Sequence, residues 1–275
     1  MLFSLKEMQD YQVRFAGGEQ AAVRTVLIDD FDWVVRYLAV HVDDRVMLLS
    51  PYAVDEIDFQ NGVISVDVTR EMALNSPQIG ADMQLSRELE QQLSDHYQWP
   101  YYWEPGDVPN TSPGDLTAIP LIELELDRRE EEEQQEALIP ETGSRESEGE
   151  TTAQNIHLRS TNEIFGYSIH TTNDDRDAGK LTDLIIQAEN WNIQYLVVNT
   201  GGRLGTGKSV LVSPTWVQRF DENRSRVDID LKEDSIHSSP AFTGVRDLTP
   251  EYQAKIQEHR SEEHTSELQS PDHLV

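Results

Sequence analysis

Trp191–Pro214 reads WNIQYLVVNTGGRLGTGKSVLVSP, and a shorter version of it, Trp33–Pro51 (WVVRYLAVHVDDRVMLLSP), stands near the front of the chain. In both, two runs of β-branched and aromatic residues flank a polar loop, and the second run closes on Ser-Pro. Runs of that composition around a polar turn read as β-hairpins. Two related hairpins in one chain raise the question of how far the likeness extends.

It extends over most of the ordered sequence. Ser4-Leu-Lys-Glu7 and Ser160-Thr-Asn-Glu163 both carry the capping-box pattern, 156 positions apart, as are Tyr11 and Tyr167. The offset becomes 158 at Trp33/Trp191 and Tyr37/Tyr195, then 163 at Ser50-Pro51/Ser213-Pro214. It stays 163 through Val66-Asp-Val68/Ile229-Asp-Leu231 and Asn75-Ser-Pro77/Ser238-Ser-Pro240. Insertions confined to two loops are what a duplicated domain is expected to show.

Each copy reads as short strands separated by turns. In the first they are Tyr11–Phe15, Val23–Asp29, Val34–Val42, Val46–Ser50 and Val63–Val68. Asp43-Asp44 reads as a tight hairpin and Asn61-Gly62 as a type I′ turn. The second copy gives Tyr167–His170, Leu181–Gln187, Ile193–Asn199, Ser209–Val212 and Val227–Leu231. Strands so short and so closely spaced, with no helix between them, predict a small antiparallel barrel or roll. A helix follows each copy. Leu85, Leu89 and Leu93 fall at i, i+4 and i+8 of Met83–Tyr97, with Ser86 available as a cap, and Leu248, Tyr252 and Ile256 repeat the pattern.

The first helix runs into Trp99-Pro-Tyr101-Tyr102-Trp103, an aromatic tail. Two readings stay open for it: packing back on a barrel, or a docking surface for a protein partner. Glu104–His157 then holds 15 acids against 3 Arg, with five prolines and few apolar residues, and reads as an acidic disordered linker. Correspondence between the copies fails at Arg260. Arg260–Val275 resembles a translated sequencing adapter, so it is set aside from the fold.

The 275 residues carry 51 acids and 22 bases, a net charge of −29. Such a surface repels phosphate backbones, so neither nucleic acid nor anionic lipid is an expected partner. The acid excess is also what a high-salt habitat would select, because salt screens self-repulsion. With no Cys, disulfides, thiolate metal sites and cysteine nucleophiles are excluded. No apolar run approaches membrane-spanning length and no secretory segment opens the chain, so a cytoplasmic protein without membrane insertion is expected.

Gly202–Ser209 satisfies the phosphate-loop pattern G-x-x-x-x-G-K-[ST] in full. A phosphate loop needs a helix after it, whereas Val210-Leu-Val-Ser-Pro214 reads as a strand closed by proline. A glycine-rich hairpin is therefore preferred over a nucleotide-dependent enzyme. Asn173–Gly179 superficially suggests a calcium loop, but its glycine falls one place late and the twelfth position is Leu184. The eight His show no metal-binding spacing, and no catalytic triad or carboxylate pair stands out. No catalytic residue, cofactor or metal is expected.

The Ser-x-x-Glu start, Gly166-Tyr167, Asp177-Ala-Gly179-Lys, WNIQYLVVNTG, VLVSPTWV and VDIDLKEDSIHSSP together resemble the PRC-barrel family. The likeness occurs twice, over about Ser4–Pro77 and Ser160–Pro240. This fold is named for the cytoplasmic part of the photosynthetic reaction centre H subunit, whose membrane helix this sequence lacks. The resemblance implies a small β-barrel that binds other macromolecules rather than a catalyst. The expected organisation is a PRC-type barrel at 1–80 and a helix with the aromatic tail at 81–103. The acidic linker follows at 104–157, a second PRC-type barrel at 158–245, a helix at 246–259 and the adapter-like tail at 260–275. The expected function is a non-enzymatic interaction or scaffold module, with barrel-against-barrel pairing within the chain or a homodimer. An accessory role in photosynthetic electron transfer is the second expectation.

Overall fold

The computed structural model describes residues 1–79, 85–103, 158–201, 207–249 and 251–252. It divides into one unit made of Met1–Leu85 with His157–Val275 and another made of Ser86–Ile156. The architecture is mainly β, with two sheets, both in the first unit.

The first sheet is built from β2 (Gln12–Arg14), β3 (Gln20–Asp29), β4 (Val34–Val42), β5 (Arg45–Leu49), β6 (Val54–Asp58) and β7 (Val63–Val66), in the order β5-β4-β3-β2-β7-β6. The second uses β9 (Ser168–Thr171), β10 (Arg176–Gln187), β11 (Ile193–Asn199), β12 (Ser209–Val212), β13 (Val217–Asp221), β14 (Arg226–Ile229) and β15 (Ala241–Phe242), in the order β13-β14-β9-β10-β11-β12-β15. Both expectations of antiparallel closure need correction. Each sheet contains one parallel pair, β2 with β7 and β9 with β14. Among the described residues no ladder joins β5 to β6 or β15 to β13, so the sheets are open. The cause is topological. The hairpin β6–β7 returns across the sheet and lays β7 beside β2, a non-local pairing that turn residues do not announce.

Local chemistry explains the turns. Val42 pairs with Arg45, so Asp43-Asp44 alone joins β4 to β5, with Asp43 in the left-handed region at φ 53°. Asn61-Gly62 does not form a type I′ turn, because of the two only Gly62 has positive φ (63°). The Asp58 carboxylate instead accepts from the backbone N–H groups of Gln60 and Asn61, both at 3.1 Å, and shapes the link itself. The two long hairpins have matching bulges, between Val23 and Thr25 and again between Leu181 and Asp183. The short helices include α1 (Leu5–Met8) and α2 (Arg70–Leu74). Ser4 caps α1 by accepting from Glu7 N at 3.0 Å, as its capping-box pattern predicts. Ser160 makes no such cap bond; its hydroxyl is bound to Thr25 Oγ1 at 2.9 Å.

The core of each sheet follows from alternation giving way to full burial. β3 alternates exposed and buried over its first half, then buries Val26, Leu27 and Ile28 in succession. Leu184, Ile185 and Ile186 do the same in β10. The reason lies in two strands that sequence reading does not show. β1 (Leu2–Ser4) pairs with β10, and β8 (Leu158–Ser160) pairs with β3. Each half of the chain thus lays its first strand on the sheet of the other half, which covers the second half of the long strand. At the centre Val34 bridges Asn192, Val35 N donates to Trp191 O (3.0 Å) and Ile193 N donates to Trp33 O (2.7 Å).

The second unit, so far as it is described, is α3 (Arg87–Tyr97) and the tail through Trp103. Ser86 caps α3 by accepting from Leu89 N at 3.3 Å, and Gln98 ends it in the left-handed conformation at φ 61°. The expected first turn at Met83 lies outside the described residues, as do the linker 104–157 and residues 260–275. Of the expected helix 246–259, Glu251 and Tyr252 are helical and most of the remainder lies outside the described residues.

Candidate functional site

The predicted aromatic surface is brought together on α3. Left-handed Gln98 reverses the chain, and Trp99 N donates to Ser94 O at 2.9 Å, so the tail returns along the helix. Tyr97 and Trp99 stack at 4.1 Å, and Tyr101 and Trp103 at 5.2 Å. Tyr101 donates to Asp95. The Arg87 guanidinium lies over the Trp103 ring at 4.3 Å and near the Tyr102 ring at 5.4 Å. Beneath them sits Glu90, fully buried. It accepts from Arg87 Nη1 at 2.8 Å and from Tyr102 OH at 2.7 Å, while that hydroxyl accepts from Arg87 at 3.1 Å. A buried carboxylate needs such partners. Trp99, Tyr101, Tyr102 and Trp103 are each half-buried, so part of every ring is committed to this packing and part faces outward.

The glycine-rich loop is held by its ends. Thr200 N donates to Lys208 O at 2.9 Å, and Lys208 N returns to Thr200 Oγ1 at 3.3 Å. Residues 202–206 lie outside the described residues. Ser209 opens β12, paired with Asn199 of β11, and is therefore followed by a strand. The fan of free N–H groups that a helix N-terminus offers to phosphate is not formed there. Lys208 Nζ donates to Ser239 O at 2.5 Å.

The Asn173–Gly179 acids are used structurally. The Asp174 carboxylate accepts from Thr171 Oγ1 (2.5 Å) and Glu233 N (3.0 Å), and the Thr171 hydroxyl above all holds it below the usual carboxylate range. His170 lies 3.2 Å from Asp175 and 3.6 Å from Asp177. No group of three or more His, Asp or Glu that could hold a metal is found among the described residues. The adjacent acids Asp29 and Asp30 go to different cations. Asp29 accepts from Arg36 at 3.0 and 3.1 Å, and Asp30 pairs with Arg159 from the other half.

The polar residues at the exchanged strands escaped sequence reading altogether. Asp183 accepts from Ser4 Oγ (2.5 Å), Lys6 N (2.9 Å) and Leu184 N (2.7 Å), yet burial dominates and pushes its carboxyl above the ordinary value. Tyr167 donates to Glu163 at 3.2 Å and is pushed up to about 12, by burial first and the Glu163 charge second. Arg159 is shared between Asp30 and Glu222 with the Phe220 ring 5.1 Å from its guanidinium carbon. The only sequence signal for this zone was the pair of Ser-x-x-Glu patterns.

Comparison with known proteins matches residues 158–236 to the PRC-barrel domain family. No curated protein matches the chain. No helix among the described residues is long and apolar enough to cross a membrane.

Proposed function

We propose that this protein is a non-enzymatic interaction or scaffold module in which both halves are PRC-type domains, descended from a duplication and joined by an acidic disordered linker. The observation that carries this reading is the PRC-barrel match over 158–236, taken with the same strand order and bulge positions in the first sheet. In this reading Trp99, Tyr101, Tyr102 and Trp103 present their outward faces to a protein partner, and the chain works in the cytoplasm without cofactor or metal. Half-buried aromatic residues fixed by a buried Arg–Glu pair suit that role, because rigid rings lose little entropy on binding.

The test is affinity capture from the native host with the intact chain as bait, beside a variant carrying Trp99→Ala and Trp103→Ala. A partner held by the first and lost by the second is expected. A partner retained equally by both would remove the aromatic cluster from the role. ATP binding in calorimetry that is abolished by Lys208→Ala would overturn the non-enzymatic reading itself.

A further inference from the structure

The surface on which the halves exchange strands is self-complementary. Ser4 faces Ile185 and Ser160 faces Leu27; Phe3 faces Ile186 and Arg159 faces Ile28; Leu2 faces Gln187 and Leu158 faces Asp29. Every pair maps onto its counterpart by the offsets 156 in the exchanged strand and 158 in the receiving strand. At the centre, Val34 faces Asn192, its own counterpart. An isologous surface of this kind is what two-fold dimers use. Its main-chain ladder does not distinguish the other half from a second copy of the same half. Neither do the serines, since Ser4 bonds Asp183 and Ser160 bonds Thr25, and a hydroxyl serves either acceptor.

Discrimination must come from positions where the halves differ in charge. We propose that Asp30 and Arg159 are the residues that make each half pair with the other rather than with a second copy of itself. In the observed pairing Arg159 and Asp30 meet with side chains 15% and 8% exposed. The counterparts of Arg159 and Asp30 are Phe3 and Ala188. Phe3 packs edge-on to Trp191 at 6.1 Å and against Phe59 at 5.2 Å. A first half paired with a first half would set Phe3 where Arg159 now stands beside Asp30, burying the carboxylate without its arginine. A second half paired with a second half would set Arg159 beside Ala188. Breaking one partner from a buried ion pair is strongly unfavourable, and such mismatches are how interfaces reject the wrong partner. The partner that this surface would otherwise accept is a second copy of this chain. The inference does not depend on the function proposed above.

The chain has no Cys, so a single introduced thiol reports the pairing. With Val34→Cys, the new thiol faces Asn192 in the observed arrangement, but it would face the same thiol of a second chain if first halves paired. The intact chain carrying Val34→Cys is refolded from denaturant at high protein concentration, oxidised and run on a non-reducing gel. It is expected to stay monomeric, while Val34→Cys with Asn192→Cys closes internally. Adding Asp30→Ala and Arg159→Phe, which gives both halves the same uncharged residues, is expected to raise the disulfide-linked dimer about tenfold or more. A second background, Phe3→Arg with Ala188→Asp, gives an Arg–Asp pair in every pairing and is expected to do the same, should the uncharged variant fold poorly. Two outcomes overturn the proposal: equal dimer from Val34→Cys alone, or no dimer in either background while the double-cysteine control still closes internally in it.

Discussion

Gly179 shows how closely single positions in β10 are determined. Its φ is 143°, and a Cβ placed there would run into the carbonyl oxygen of Asn199. Gly179→Ala therefore combines backbone strain with a collision against a rigid atom, and a loss of about 3 kcal/mol is expected in chemical denaturation. Asp183 is a different kind of constraint. Burial raises its carboxyl above the unfolded value, so the folded state binds that proton more tightly than the unfolded one. The stabilising effect of that proton is complete below the unfolded pKa and is lost as pH rises through the folded one. Asp183→Asn, which cannot ionise, should thus gain on the parent as pH is raised from about 4 to about 7. Denaturation midpoints of both proteins across that range check this; a constant gap would show that the three hydrogen bonds to Asp183 cancel its burial.

At the scale of elements, α3 and its tail are tied by three side chains. Tyr102→Phe removes the hydroxyl that accepts from Arg87 and donates to buried Glu90. A cost of about 1–2 kcal/mol is expected, because a buried carboxylate loses one of its donors. A fall in the denaturation midpoint together with altered near-UV signal from Trp103 would register it. This element also shows what the sequence could disclose. The i, i+4 leucines and Ser86 mark α3, and the aromatic run marks the tail, but Gln98 carries no sign that it takes the left-handed conformation and sends the tail back. The long hairpins were legible for the same reason as α3: Val23–Asp29 with Val34–Val42, and Leu181–Gln187 with Ile193–Asn199, pair with sequence neighbours and carry strong β composition. β6 and β13 were missed because VDEID and VQRFD are half-exposed and charged. β1 and β8 are three residues each, and what makes them strands is the receiving edge of the other half. Exchange partners so far apart in sequence leave no local pattern.

At the scale of the whole molecule two consequences follow from charge and connectivity. A net charge of −29 repels itself, and added salt screens that repulsion. The melting temperature should rise between about 0.05 and about 1 M NaCl; a flat or falling curve would show that buried pairs such as Arg36–Asp29 and Arg159–Asp30 already balance the excess. Connectivity makes the stronger demand. Because β1 completes the second sheet and β8 completes the first, neither half keeps its cover when the other departs, and the link between them serves to hold them at high effective concentration. A protease site inserted within residues 110–150 and cut in the folded protein should therefore leave both fragments eluting together in native buffer, separating only in denaturant. Once separated and diluted, they should regain structure at a rate that depends on concentration, whereas the uncut chain should refold at a rate that does not. Fragments that part on cutting and stay folded would mean that each sheet is stable without its borrowed strand, and the exchange would then be a consequence of proximity rather than a condition of folding.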